Sequence, residues 1–171
     1  MAVTHFTERQ YVFKTWVGKL TFIILIVLLL ALYYFYVVQD HTFSFFSVGI
    51  QSISFLAVFM ILFSNLKTTC TNQNITLQYF PYHLKKIIYS KTEIDAVEMV
   101  NYDGLGDFGG WGIRINNEIK CFTVSGSCGV LITLKNGKQR LIGTKETETI
   151  KKVLVENGYN VTDKRHESSE I

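Results

Sequence analysis

Two uncharged apolar runs dominate the first third of the chain. Residues 22–38 read FIILIVLLLALYYFYVV, and residues 43–63 follow after the polar break Gln39, Asp40, His41 and Thr42. With Leu20 and Thr21 the first run supplies about 19 residues, which at a 1.5 Å rise spans roughly 30 Å of hydrocarbon. The short break makes the pair an antiparallel helical hairpin, assigned to residues 20–64. A cleaved signal peptide fits less well, because the apolar core exceeds a signal h-region and VVQDHTF offers no small-x-small site. A buried helix pair in a soluble protein would need a polar face, and neither run has a wide one.

Before the first run, Phe6, Phe13 and Trp16 stand near helical spacing with Glu8, Arg9 and Gln10 between them. Residues 1–19 are therefore read as a juxtamembrane segment, with 5–16 an interfacial extension of the first helix. In the second run Ser44, Ser47, Gln51 and Ser54 fall at i, i+3, i+7 and i+10, along one helical stripe. Such a stripe prefers another helix to acyl chains. A polar translocation path is the competing reading, but it normally brings ionisable groups or broken helices, and neither is present.

From residue 75 the period changes. After a linker at 65–74, ITLQYF (75–80) alternates as a strand and Pro81 ends it. Residues 85–89 read as its hairpin partner, 90–95 as a turn and 96–102 as a third strand. Further strands are expected at 111–115, 119–124, 130–135 and 139–143. Asn116 and Asn117 supply one turn and Asn136-Gly137 another. A helix follows, with Thr144 as N-cap, Ile150, Val153 and Leu154 on its apolar face, and Gly158 at its end. Residues 160–171 hold too little apolar content to fold alone and are read as a disordered tail.

Seven antiparallel strands closed by a helix is the order of a pleckstrin-homology-like (PH-like) barrel over residues 75–159. An OB-fold has fewer strands and places its helix inside the strand order. The fold class is thus α+β: a transmembrane hairpin followed by a PH-like seven-stranded barrel or sandwich with a C-terminal helix.

Charge sets the orientation. Arg9, Lys14 and Lys19 precede the first run, Lys67 closely follows the second, and the connecting turn carries no Lys or Arg. Both termini are therefore expected in the cytoplasm, with the chain in the plasma or inner membrane. The aromatics Tyr33, Tyr34 and Tyr36 suit the outer interface and Trp16 the inner one. The formal net charge of +3 is too small and dispersed for a nucleic-acid binder. Cys70, Cys121 and Cys128 form no CxxC motif and lack a His at zinc spacing, so they read as reduced packing residues.

Candidate chemistry is sparse. Asp103, Gly104, Gly106, Asp107, Gly109 and Gly110 form a glycine-rich loop that lacks a Walker Lys-Ser/Thr and does not lead into a helix, which argues against a phosphate loop. Its glycines suit tight turns. Asp103 and Asp107 alone are too few oxygen ligands for a cation site. The loop, with Asp103, Asp107, Gly109, Gly110, Trp111 and Arg114, is the candidate partner-binding element. His41, His83 and His166 are scattered, so no nucleophilic triad is expected. Lys67, Lys85, Lys86 and Lys91 are candidate membrane-facing residues, since the domain is tethered about ten residues from the bilayer. The competing reading is a solvated strand face.

The sequence resembles a family of bacterial two-pass membrane proteins with a PH-like domain. The resemblance rests on FTERQ with Trp16, on GDFGGWGIR at 106–114 and on TVSGSCGVLITLKNGKQRLIGT at 123–144. It implies fold and topology but no activity. The chain departs from the family pattern at INNEIKCFT, where a longer loop would stand. The expected function is a membrane-anchored binding or scaffold protein rather than an enzyme. It would need no cofactor or metal, and its expected partners are membrane lipids and a protein or its own copy. A channel component using the polar stripe and, last, a lipid-headgroup enzyme using Asp103 and Asp107 are the alternatives.

Overall fold

The computed structural model describes residues 5–35, 45–116 and 119–165. The chain forms two compact units: Met1–Gln10 joins Asn65–Ile171 in one, and Tyr11–Ser64 is the other. The class is α+β, and among the described residues there are ten strands and three α-helices.

In the first unit β1 (Phe6–Tyr11), β2 (Asn65–Cys70), β3 (Asn74–Phe80) and β4 (Ile87–Ser90) form a four-stranded sheet in that order. The second sheet contains β5 (Ile94–Asn101), β6 (Gly112–Asn116), β7 (Ile119–Thr123), β8 (Cys128–Leu134), β9 (Gln139–Gly143) and β10 (Val161–Asp163). Its order is β10-β5-β8-β9-β7-β6, with β7–β9 and β10–β5 parallel and the other pairs antiparallel. The seven expected strands correspond in position to β3–β9, but they are divided between the two sheets, and β7 pairs with β9 in parallel, so the all-antiparallel order expected is not kept. Three more, β1, β2 and β10, lie where a helix extension, a linker and a disordered tail were expected.

Each correction has a local cause. FTERQY has a strict period of two, with Phe6, Glu8 and Gln10 buried and Thr7, Arg9 and Tyr11 exposed. Its polar inward residues disguise a strand as an amphipathic helix. NLKTTC buries Leu66, Thr68 and Cys70 in the same way, the β-branched Thr68 standing where an aliphatic residue would have revealed the strand. Residues 161–163 gain order from parallel pairing with Val97–Met99, a tertiary contact that a three-residue segment cannot advertise.

The core lies on the inward faces of both sheets. Leu66, Leu77, Phe122, Ile132 and Leu141 are almost wholly enclosed, each stabilising the fold by about 1.5–3 kcal/mol through burial. The helix α3 (Thr147–Glu156) adds Ile150, Val153 and Leu154. Its N-cap is Glu146 rather than Thr144, whose Oγ1 instead accepts a bond from the Glu146 N–H at 3.1 Å. At the other end Gly158 adopts φ +71°, a left-handed conformation that favours glycine. The Gly158 N–H donates to the Val155 carbonyl and the Tyr159 N–H to the Leu154 carbonyl, completing a Schellman cap. The Asn136-Gly137 turn joins β8 to β9 as the dipeptide predicts, with φ +80° at Gly137.

In the second unit a short 3₁₀ turn, Val12–Lys14, leads into α1 (Trp16–Phe35), and α2 (Phe45–Leu62) follows. Thr15 caps α1 by accepting the Gly18 N–H at 3.0 Å. Only glycine fits at position 18, since a Cβ there would stand 2.1 Å from the Val12 carbonyl oxygen. The two ends of the unit meet where the Val12 N–H donates to the Ser64 carbonyl at 3.1 Å. Among the described residues one helical stretch, Trp16–Tyr34, is long and apolar enough to cross a membrane, and α2 contributes the shorter apolar stretch Ser52–Leu62.

Candidate functional site

The four candidate lysines separate into two kinds. Lys91 is committed within the fold: its Nζ donates to the Asn157 carbonyl at 2.7 Å and sits 5.1 Å from the centre of the Tyr159 ring. A cation there neutralises the negative end of α3, so Lys91 is removed from the membrane-facing set. Lys67 lies on the outward face of β2, opposite Gln78 of β3. Lys85 and Lys86 are exposed in the β3–β4 connection. The Gln78 Nε2 donates to the Leu84 carbonyl at 2.7 Å, so the strand carrying Lys67's neighbour also holds the loop carrying the other two. The same loop is braced by the His83 N–H donating to the Tyr79 carbonyl at 2.7 Å. The His83 ring meets the Phe122 ring edge-on at 5.8 Å. Burial and then the charge of Lys120 lower the His83 pKa, favouring a neutral imidazole.

The glycine-rich loop is occupied with its own backbone. Asp107 Oδ2 accepts the Asp103 N–H at 2.7 Å, and Asp103 Oδ1 accepts the Leu105 N–H at 3.0 Å. These are turn-stabilising bonds of the kind Asp supplies locally. Trp111 is half-buried, donates its Nε1–H to the Gly126 carbonyl at 3.0 Å and lies over Gly104, where a Cβ would be 2.8 Å from Nε1. Gly109 and Gly110 have φ of 64° and 123°. Arg114 is exposed on β6, an edge strand. Of this candidate set, Asp103, Gly109 and Arg114 are exposed, Asp107 and Trp111 are half-buried, and Gly110 is buried.

In the proposed helix-packing stripe, Ser54 is exposed on α2. Ser44 and the side chains of Ser47 and Gln51 lie outside the described residues. Cys121 and Cys128 cannot pair across a turn, because β9 lies between their strands, and all three cysteines are free. Burial pushes the Cys70 and Cys121 thiols up to about 12, which keeps them protonated and unreactive at neutral pH. Cys128 is half-buried and donates to Asn101 Oδ1 at 3.1 Å. Among the described residues no group of three or more His, Cys, Asp or Glu is arranged to hold a metal ion.

Two polar clusters escaped the sequence reading. Glu8 is only 6% exposed, and its carboxylate accepts from Thr144 Oγ1 at 2.6 Å, the Lys145 N–H at 2.9 Å and Gln10 Nε2 at 2.9 Å. Gln10 Nε2 also donates to the Gly143 carbonyl at 2.9 Å. β1 is thereby clasped to the β9–α3 junction by a fully hydrogen-bonded carboxylate. The period-two alternation of FTERQY was the available signal. The second cluster joins Asp163, Arg165, Lys151 and Glu148 behind β10. Hydrogen bonds from Arg165, then from Lys151, hold the Asp163 carboxyl well below the usual carboxylate range.

Comparison with protein-family models and with curated proteins yields no match to this chain.

Proposed function

We propose that the chain is a membrane-anchored binding or scaffold protein. Its helices α1 and α2 cross the bilayer as a hairpin, both termini are cytoplasmic, and a PH-like domain is held at the inner face. The observation that carries this reading is the pairing of β1 with β2 in one sheet. β1 precedes α1 and β2 follows α2. Strands of one sheet lie on one side of a membrane, so a chain whose α1 crosses must cross an even number of times. That requirement supports α2 as the return span. Arg9, Lys14, Lys19 and Lys67 at the two flanks favour the cytoplasmic side.

The PH-like assignment is supported by the order β3–β9 followed by α3, to which β1, β2 and β10 are additions. The binding partner is a protein or a second copy of the chain. The polar stripe in α2 suits helix association, and Arg114 lies on β6, an edge strand with no outer sheet neighbour among the described residues. Crosslinking in native membranes followed by mass spectrometry tests the reading. It is expected to return a discrete heteromeric or homomeric adduct. Monomer alone, under conditions that capture known complexes, would sink it.

A further inference from the structure

We propose that the β3–β4 connection is an interfacial wedge that inserts its apolar tip into the headgroup layer of an anionic bilayer, with Lys85 and Lys86 contacting lipid headgroups. The inference rests on the membrane-anchored reading above and adds a second, reversible point of attachment for the β domain.

The loop exposes what a turn in water does not require. Leu84 is 71% exposed, Tyr82 53% and Phe80 44%, and Ile88 beyond them on β4 is also exposed. Scattered apolar residues are ordinary, but here three stand at alternate positions 80, 82 and 84 of one short segment and adjoin two exposed lysines. The tip is braced rather than loose. The His83 N–H and the Leu84 carbonyl are both bonded internally, and the Tyr82 ring lies 5.7 Å from that of Tyr79. A loop entering an apolar layer needs such internal partners, because unbonded backbone groups lose water on insertion.

Charge selects the occupant. No Asp or Glu occurs from residue 71 to residue 92, so the only formal charges within that stretch are positive. Lysine next to an apolar anchor keeps its ammonium at the headgroup level while its stem follows the apolar surface. Each such lysine raises partitioning to an anionic surface by about fivefold. Tyrosine with its polar end outward suits the same depth. The chain path supplies the reach. Phe80 pairs with Asn65, and only Phe63 and Ser64 separate Asn65 from the end of α2. The base of the wedge is therefore one strand spacing, about 5 Å, from Asn65, which follows the last residue of α2 by three positions in the chain.

The test uses the full chain with Cys128→Ser, reconstituted into vesicles of phosphatidylcholine and phosphatidylglycerol. An environment-sensitive fluorophore is placed at Leu84→Cys, at Val155→Cys on α3 or at Leu30→Cys on α1, while the buried Cys70 and Cys121 stay unlabelled. Nitroxide lipids labelled at the headgroup level are expected to quench position 84 several-fold more than position 155. Lys85→Glu with Lys86→Glu is expected to reduce that quenching several-fold. Absence of quenching at 84 with deep quenching at 30 overturns the wedge and leaves the anchor standing. Absence of quenching at both removes the anchor and the wedge together. Equal quenching at 84 in phosphatidylcholine alone overturns the role given to the lysines. A concentration-dependent shielding of position 84 without quenching assigns the patch to a second copy and overturns the lipid assignment.

Discussion

The two units of the molecule use the same residue types in opposite ways. In the β unit Leu66, Ile132, Leu141 and Leu154 are enclosed by other side chains. In the helical unit Val27, Leu30, Tyr33 and Ile53 point outward and remain mostly exposed. The β unit buries its apolar surface against itself. The helical unit is apolar on its outside and draws its stability from backbone bonds and from whatever surrounds it. An apolar outer surface of that kind is compatible with a lipid surrounding, which is the reading proposed above.

The largest effect should separate the units directly. Leu154→Ala removes an enclosed side chain from α3 and should cost about 2–5 kcal/mol, whereas Leu30→Ala on α1 should change the β unit's stability by less than about 0.5 kcal/mol. Denaturant unfolding of the full chain in micelles, followed by near-ultraviolet circular dichroism, measures both. Comparable losses from the two substitutions would break the comparison.

Next is the clasp formed by Glu8. Glu8→Ala strips the acceptor from the Thr144 hydroxyl and the Lys145 N–H, and should cost on the order of 2–3 kcal/mol. Glu8→Gln, which keeps one acceptor, should cost less. An unchanged unfolding midpoint for Glu8→Ala would mean that β1 adds nothing to the β unit and belongs with the helices.

The smallest effect lies at β10. Asp163→Ala should cost up to about 1 kcal/mol, because the cluster with Arg165 and Lys151 is only partly enclosed. The Asp163 pKa is lowered in the folded state, so its contribution is fully present above the ordinary value of 3.8 and is lost as pH falls through the lower folded value. The difference in unfolding midpoint between Asp163→Ala and the parent should accordingly be constant near neutrality and shrink in acid. A difference that grows on acidification would reverse the assignment.

Legibility in the sequence followed the same division. The strands β3, β5, β8 and β9 and the helix α3 announce themselves through period, an Asn-Gly turn and a terminal glycine, all local signals. β1 and β2 alternate just as regularly, but Glu8, Gln10 and Thr68 occupy inward positions, and the hydrogen-bond partners of Glu8 and Gln10 at 143–145 arrive from far along the chain. Lys91 and Lys85 are indistinguishable as letters. Only the arrival of the Asn157 carbonyl makes the first a helix cap, while the second stays exposed. Asp103 and Asp107 read as candidate partner-contacting carboxylates until the amides they accept from are placed around them.

The pairing of β1 with β2 also bears on how the chain is made. β1 leaves the ribosome before any strand it can join, and its neighbour follows only after both helices have been synthesised. Closing so long an intervening segment in solution is entropically unfavourable, though the penalty rises only slowly with length. Helices already seated side by side would bring the two ends together in advance. On the proposed two-pass reading, completion of the first sheet would depend on the helices being seated, since a chain whose helices fail to seat would leave β1 without its neighbour β2.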